Sequence, residues 1–176
     1  MNSTKKILIA NRGVIAIRAL RAAKELGYQV ASVYSTADKN LKHLKLSDEA
    51  ICIGPPDSKD SYLNEAAIIS AAELANVDGI YPGYGFLSEN AEFAEKCKNS
   101  GFKFIGPSHE IISLMGDKIQ AKNLMRQLGV PVVPGYEGPV ESKEQIENEV
   151  KKVGLPVIIK AAAGGGGRGM RIVREL

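Results

Sequence analysis

The sequence predicts an α/β protein: a doubly wound parallel sheet followed by the start of a second domain. Three observations predict it. Short apolar runs alternate with stretches of helical periodicity through the first part of the chain, and glycines or capping residues mark the joins between them. After Gly106-Pro107 that alternation gives way to a capped helix, a turn-rich stretch and a glycine run. Strands alternating with helices imply βαβ crossovers, whose helices cover both faces of one parallel sheet.

In chain order, Lys6 to Ala10 (KILIA) reads as a buried strand. Ile15, Ala16, Ala19, Ala23 and Leu26 then recur at three- and four-residue spacing, with Arg18, Arg21 and Glu25 on the other side. That is an amphipathic helix, closed by Gly27 as a left-handed cap. Gln29 to Tyr34 and Glu49 to Gly54 read as the second and third strands, Gly79 to Tyr81 as the fourth, and Phe102 to Gly106 as the fifth. Helices are expected from about Asn64 to Leu74 and from Asn90 to Ser100, the latter ended by Gly101.

Beyond Pro107, Asp117 and Gln120 form a capping box opening a helix that runs to Leu128 and stops at Gly129 before Pro131. Gly135 to Pro139 is turn-rich, and Ser142 with Gln145 opens another helix that ends near Gly154 and Pro156. Val157 to Lys160 and Met170 to Arg174 read as two strands joined across Gly164 to Gly169 as a hairpin. The expected division is a first domain over 1–115 and a second over 116–176, the latter truncated because one hairpin cannot close a sheet core.

Composition narrows the function classes. With 44% hydrophobic residues in 176, the chain can bury roughly 70% of the surface it exposes when unfolded. The net charge of +3 comes from Lys and Arg scattered among acids, which points away from nucleic acid. Cys52 and Cys97 lie far apart without metal-ligand spacing, so neither a metal site nor a disulfide framework is expected, and a reducing compartment fits. The apolar run after Met1-Asn2-Ser3-Thr4 is too short for a signal core or a membrane span. The expectation is a soluble cytoplasmic protein.

The strongest local signal is Ala163 to Met170 (AGGGGRGM). Residues without side chains let backbone N–H groups surround phosphate oxygens, and apolar strands flank this run more closely than they would a linker. It is not a Walker loop, because Gly169 is followed by Met170-Arg171 rather than Lys and a hydroxyl residue. Asn11-Arg12-Gly13 supplies one glycine of the three in a dinucleotide fingerprint, so the first domain reads as Rossmann-like without NAD. Lys160, at the end of an apolar strand, must reach water or meet an anion, and the glycine run lies close by. Lys118 occupies the first turn of its helix, where anions bind and a lysine is not the preferred charge, so alone it says little. Pro82 to Asn90 (PGYGFLSEN) follows a strand and precedes a helix, where ligand loops collect in such sheets; a rigid turn capped by Ser88 or Asn90 explains it equally well. His43 and His109 are expected at the surface, and the pairs Asp48-Glu49 and Glu147/Glu149 on solvated faces or caps.

Taken together, these residues resemble the biotin carboxylases over essentially the full length. The resemblance rests on Ile9 to Gly13 (IANRG), Asp48-Glu49-Ala50, Ser61 to Asn64 (SYLN), Pro82 to Asn90, Phe104 to Pro107 (FIGP), Met115 to Lys118 (MGDK) and Lys160 to Met170. It implies a Rossmann-like domain followed by the truncated start of an ATP-grasp domain. It also implies carboxylation of biotin by bicarbonate and ATP through carboxyphosphate. Lys118, Lys160, Gly164, Gly165, Gly166, Gly167 and Met170 match nucleotide-binding positions, and the glycine loop matches a lid that closes over the phosphates. The catalytic residues and the acidic Mg²⁺ ligands are expected beyond residue 176, so the chain alone is expected to turn nothing over. Implied partners are a biotin carboxyl carrier protein or domain, a carboxyltransferase, bicarbonate and a second copy in a homodimer, with no nucleic acid and no membrane. The exposed helix face bearing Arg18, Arg21 and Glu25 is a candidate contact, or simply solvated.

Two positions depart from the resemblance. Val14 stands where the family usually has Glu after Asn-Arg-Gly, and Tyr81 where a His commonly precedes Pro-Gly-Tyr-Gly. The rival readings are another ATP-grasp ligase and a non-catalytic nucleotide-binding or assembly module.

Overall fold

A computed structural model describes residues 5–136, 138, 140, 142–160 and 169–175. The chain divides into two compact units, Met1–Gly116 and Asp117–Leu176.

Five parallel strands form the sheet of the first unit: β1 (Lys6–Ile9), β2 (Gln29–Ser35), β3 (Glu49–Gly54), β4 (Gly79–Tyr81) and β5 (Lys103–Phe104). Their order is β3-β2-β1-β4-β5, with Leu8 opposite Ala31 on one side and Ile80 on the other. Helices α1 (Gly13–Glu25), α2 (Lys42–Leu46), α3 (Glu65–Leu74), α4 (Ala91–Asn99) and α5 (His109–Gly116) accompany it. Because successive strand side chains point to opposite faces, Leu8 and Ile9 seed separate cores. Ile9 packs with Ala16, Leu20 and Ala23 of α1 and with Val30. Leu8 packs with Val33, Ile68 and Ala72 of α3 and Phe93 and Cys97 of α4. Helices therefore cover both faces, the doubly wound arrangement that the apolar runs predict. Leu8 and Ile9 are fully buried, each contributing about 1.5–3 kcal/mol of transfer free energy.

Two expectations need correction, and one helix is additional. Leu26 is 75% exposed because α1 ends at Glu25 and the chain turns away through Gly27 at φ +77°; Leu20 takes its place in the core. α5 was not foreseen, since its apolar residues are half-exposed and give little periodic signal. His43 is not at the surface but fully buried on α2, and neither ring nitrogen has a hydrogen-bond partner among the described residues. Burial pushes its pKa down, against a weaker pull from the Val33 backbone and the Asp38 charge. His109 is partly exposed, with Nε2 3.0 Å from Glu110 Oε1. Cys97 is buried, its thiol pushed up to about 12, and it acts as a small core hydrophobe.

The second unit holds α6 (Lys118–Gln127), α7 (Lys143–Val153) and the strands β6 (Val157–Lys160) and β7 (Met170–Val173), which pair antiparallel. Asp117 caps α6 by accepting from the N–H groups of Ile119 and Gln120. Gln120 closes the box onto the Asp117 carboxylate, at 2.9 Å, rather than onto the backbone. Ser142 caps α7 through the Gln145 N–H, and the Gln145 amide reaches the Tyr136 hydroxyl at 3.0 Å.

Candidate functional site

Strand order reverses at β1: β2 and β3 extend to one side of it, β4 and β5 to the other. The crevice outside the carboxyl ends of β1 and β4 is where open α/β sheets bind ligands. Asn11 and Arg12 leave β1 there, and the Pro82 to Asn90 loop leaves β4. Asn11 is fully buried. Its amide donates to the carbonyls of Pro82 at 2.7 Å and Tyr84 at 3.0 Å, and its side-chain oxygen accepts from the Arg12 N–H. Gly83, at φ +73°, fits so closely that a Cβ there would stand 2.7 Å from Ile15 Cγ2 and 2.9 Å from Asn11 Nδ2. The loop presents Tyr84, 70% exposed, and ends at Asn90, which caps α4 through the Phe93 N–H. The turn is thus capped by Asn90, and it stands at the switch point of the sheet.

Beside it, one carboxylate oxygen gathers three donors. Asp38 Oδ2 accepts from the Tyr62 hydroxyl at 2.7 Å, the Ser35 hydroxyl at 2.9 Å and the Arg12 guanidinium at 3.2 Å. Burial alone would raise the Asp38 pKa, but these donors and the Arg12 charge hold it below the ordinary carboxylate range. Burial and the Asp38 hydrogen bond push the Tyr62 hydroxyl up, so it stays a donor. The Arg12 guanidinium lies 5.3 Å from the Tyr62 ring centroid and 5.6 Å from that of Phe86, and the two rings stack at 4.8 Å. A shallow depression of about 550 Å³ is lined by Phe86, Asn90, Ser113 and the carboxylates Glu89 and Glu92, a charge that repels phosphate.

In the second unit, Lys160 and Met170 are cross-strand partners at the mouth of the hairpin, both exposed. Lys118 is the first residue of α6, behind the Asp117 cap. The Asp117 carboxyl is held below its usual range by the Gln120 side chain and the capped N–H groups. Gly164, Gly165, Gly166, Gly167 and Arg168 lie outside the described residues. Among the described residues, no group of three or more His, Cys, Asp or Glu could hold a metal ion; Mg²⁺ needs several hard oxygen ligands, so no step is assigned to one here. Among them also, no helix is long and apolar enough to cross a membrane. Tyr81, half-buried, packs against Ile9 and α1, which accounts for it as a core residue.

Sequence reasoning singled out the Pro82 to Asn90 loop but missed the cluster of Arg12, Asp38, Tyr62 and Phe86. A signal was present. Polar residues at the carboxyl ends of neighbouring parallel strands converge on one edge of the sheet, and Asn11-Arg12 and Ser35-Asp38 are such residues.

Residues 3–112 match the family model described as biotin carboxylase, N-terminal domain. Residues 117–176 match the one described as carbamoyl-phosphate synthase L chain, ATP binding domain. Biotin carboxylase of Haemophilus influenzae is 58% identical over 172 residues, covering 97% of this chain and 38% of that protein. Biotin carboxylase 1 of Bacillus subtilis is 54% identical over 170 residues, again 38% of its length. The chain therefore spans about two fifths of the curated relatives it matches. A crystal structure of a biotin carboxylase–beta-gamma-ATP complex from Campylobacter jejuni superposes with a TM-score of 0.91 at 55% identity, covering 98% of this chain and 39% of that one. The biotin carboxylase domain dimer of Hydrogenobacter thermophilus 2-oxoglutarate carboxylase, with MgADP, ADP and bicarbonate, gives 0.88 at 46% identity, covering 99% and 38%.

Proposed function

This chain belongs to the biotin carboxylase family, and from that premise we propose that it supplies the N-terminal domain and the first nucleotide-binding elements of an ATP-dependent biotin carboxylase. Its division is a Rossmann-like domain over 1–115 and the start of an ATP-grasp domain over 116–176. In the reaction, bicarbonate attacks the γ-phosphorus of ATP to give carboxyphosphate and ADP. The carboxyl group then passes to a ureido nitrogen of biotin on its carrier, and phosphate leaves.

The observation that supports this reading is the pairing of Lys160 with Met170 at the two strand ends that flank the glycine run. The ammonium of Lys160 offsets phosphate charge, the glycine segment with Gly164 to Gly167 offers backbone N–H groups to the phosphates, and Met170 packs against the nucleotide. Lys118 adds a second cation. Such groups act by stabilising charge that shifts as the γ-phosphoryl moves. The partners are a biotin carrier, a carboxyltransferase and a second copy of the enzyme, with the exposed Arg18, Arg21 and Glu25 face of α1 as a contact. Two free cysteines fit the cytoplasm.

The test is a chimera in which this chain replaces the matching part of the Haemophilus influenzae enzyme, followed by ADP release. Turnover that requires bicarbonate and rises with free biotin is the expected result. It should fall about 10-fold or more in Lys160→Met, the loss of one charge-assisted contact. A folded chimera that hydrolyses ATP without regard to bicarbonate or biotin would point to a different ATP-grasp ligase.

A further inference from the structure

We propose that Arg12 is a positioning residue, which sets the working geometry of the Gly83 to Glu89 loop by holding the Phe86 ring against Tyr62. The loop carries its own conformational cost. Phe86 sits at φ +45°, a left-handed conformation that side chains disfavour, directly after Gly85 at φ +71° and three residues after Gly83 at φ +73°. Something outside the loop must hold it there. Asn11 grips the backbone at Pro82 and Tyr84, which leaves the following turn to its side chains. Leu87 is buried in the core, and Phe86 is the loop residue whose ring meets Arg12. That ring stacks on Tyr62 at 4.8 Å, 12° from parallel, and the Arg12 guanidinium lies 5.6 Å from its centroid.

Arg12 suits the part for reasons of shape. A planar cation can lie over both rings while one edge bonds to a carboxylate, whereas the compact lysine ammonium cannot. The carboxylate is Asp38, whose other donors, Tyr62 and Ser35, fix its oxygen in place. Ser35 ends β2, Asp38 follows it, Tyr62 follows β3 and Phe86 follows β4, so Arg12 ties one loop to several strand ends. Arg12 performs no capping that would explain it otherwise: it holds the N-cap position of α1 without a side-chain cap bond. Its side chain is 46% exposed, so Arg12 covers the solvent side of a cluster whose Tyr62 and Ser35 are fully buried.

Arg12→Lys and Phe86→Leu test this by hydrogen exchange on the 176-residue chain. The amides of Ser88 and Asn90, bonded to the carbonyls of Gly85 and Leu87, report the loop, and those of Leu8, Ile9 and Val33 report the sheet. The expected result is exchange about 10-fold faster at Ser88 and Asn90 in both variants, with the sheet amides changed by less than about 2-fold. Unchanged loop amides, or equal loss in loop and sheet, would overturn the proposal, the latter because it is what a merely structural contact produces. A catalytic arm rests on the function proposed above. In an active chimera, Arg12→Lys should lower kcat about 10-fold while the KM for ATP stays level; a loosened loop with kcat intact would overturn the positioning role. A wild-type chimera that folds without bicarbonate-dependent turnover would refute the function and leave the exchange arm to decide the role of Arg12.

Discussion

The two units bury their apolar residues very differently. In the first, Leu8, Ile9, Val30, Val33, Ile68, Ile80 and Phe93 are all fully buried, on two faces of one sheet. In the second, Val150 is the one described residue in the buried core, while Leu128, Val133, Ile158 and Ile172 are 66%, 78%, 52% and 61% exposed. Stability follows apolar area removed from water, so the first unit carries its own core, whereas the described apolar residues of the second lie open in a chain that spans about two fifths of its relatives. The candidate nucleotide residues sit in the poorly buried unit.

The largest effect expected from this contrast concerns cavities. Ile9→Ala should destabilise the first unit by about 2–5 kcal/mol, because the two-sided core cannot collapse around the lost methylenes. Ile158→Ala, at a site 52% exposed, should change stability by less than about 0.5 kcal/mol. Denaturant unfolding followed by far-UV circular dichroism measures both. Comparable losses would mean that Ile158 is covered in solution and that the contrast between the units is false.

A smaller difference lies in how the units respond to acid. Asp38 and Asp117 both have pKa values lowered from 3.8 in the folded chain. A carboxylate with a depressed folded pKa contributes stability that is present above 3.8 and lost as pH falls through the folded value. Thermal melts taken from pH 5 down to about 2 should therefore show the first unit weakening below pH 4. Asp38→Asn should cost about 1 kcal/mol at pH 6 and flatten that acid limb. Asp117→Asn should do little, since Asn caps a helix about as well as Asp. An unchanged acid limb in Asp38→Asn would show that other carboxylates govern it.

How much was legible in the sequence follows the same division. The sheet strands and the α1, α3 and α4 helices could be read because Ile9, Ala16, Ala23 and their like must meet one period to be buried, and Asn64, Asn90, Asp117 and Ser142 announce helix starts in a form local to the chain. Leu26 was misread because periodicity says which face a residue occupies but not where the helix stops. His43 was misread because burial of a polar residue on a five-residue helix leaves no periodic trace. The Arg12 cluster escaped for a related reason: its members come from the ends of separate strands, and only the strand order brings them together. The glycine run was conspicuous from composition alone, and its neighbours Lys160 and Met170 do pair across a hairpin.

The smallest effect compares the helix starts of the two units, and it concerns Val14. α6 begins behind Asp117, whose carboxylate already faces the positive end of the helix. α1 begins behind Arg12, has no acid in its first turn and carries Val14 66% exposed. Its N-terminal dipole is therefore unopposed, and an acid at position 14 would also stand four residues before the exposed Arg18. Val14→Glu should stabilise the first unit by about 0.3–1 kcal/mol at low ionic strength. The gain should shrink in about 1 M salt, where screening acts within about 3 Å. Val14→Gln separates the causes, since it removes the same exposed apolar surface without adding charge. If Gln gives the same gain, the dipole account fails and the cost of Val14 is exposed apolar surface alone. If Glu stabilises α1 as expected and the chimera gains no turnover from it, then Val14 affects the helix and not the reaction.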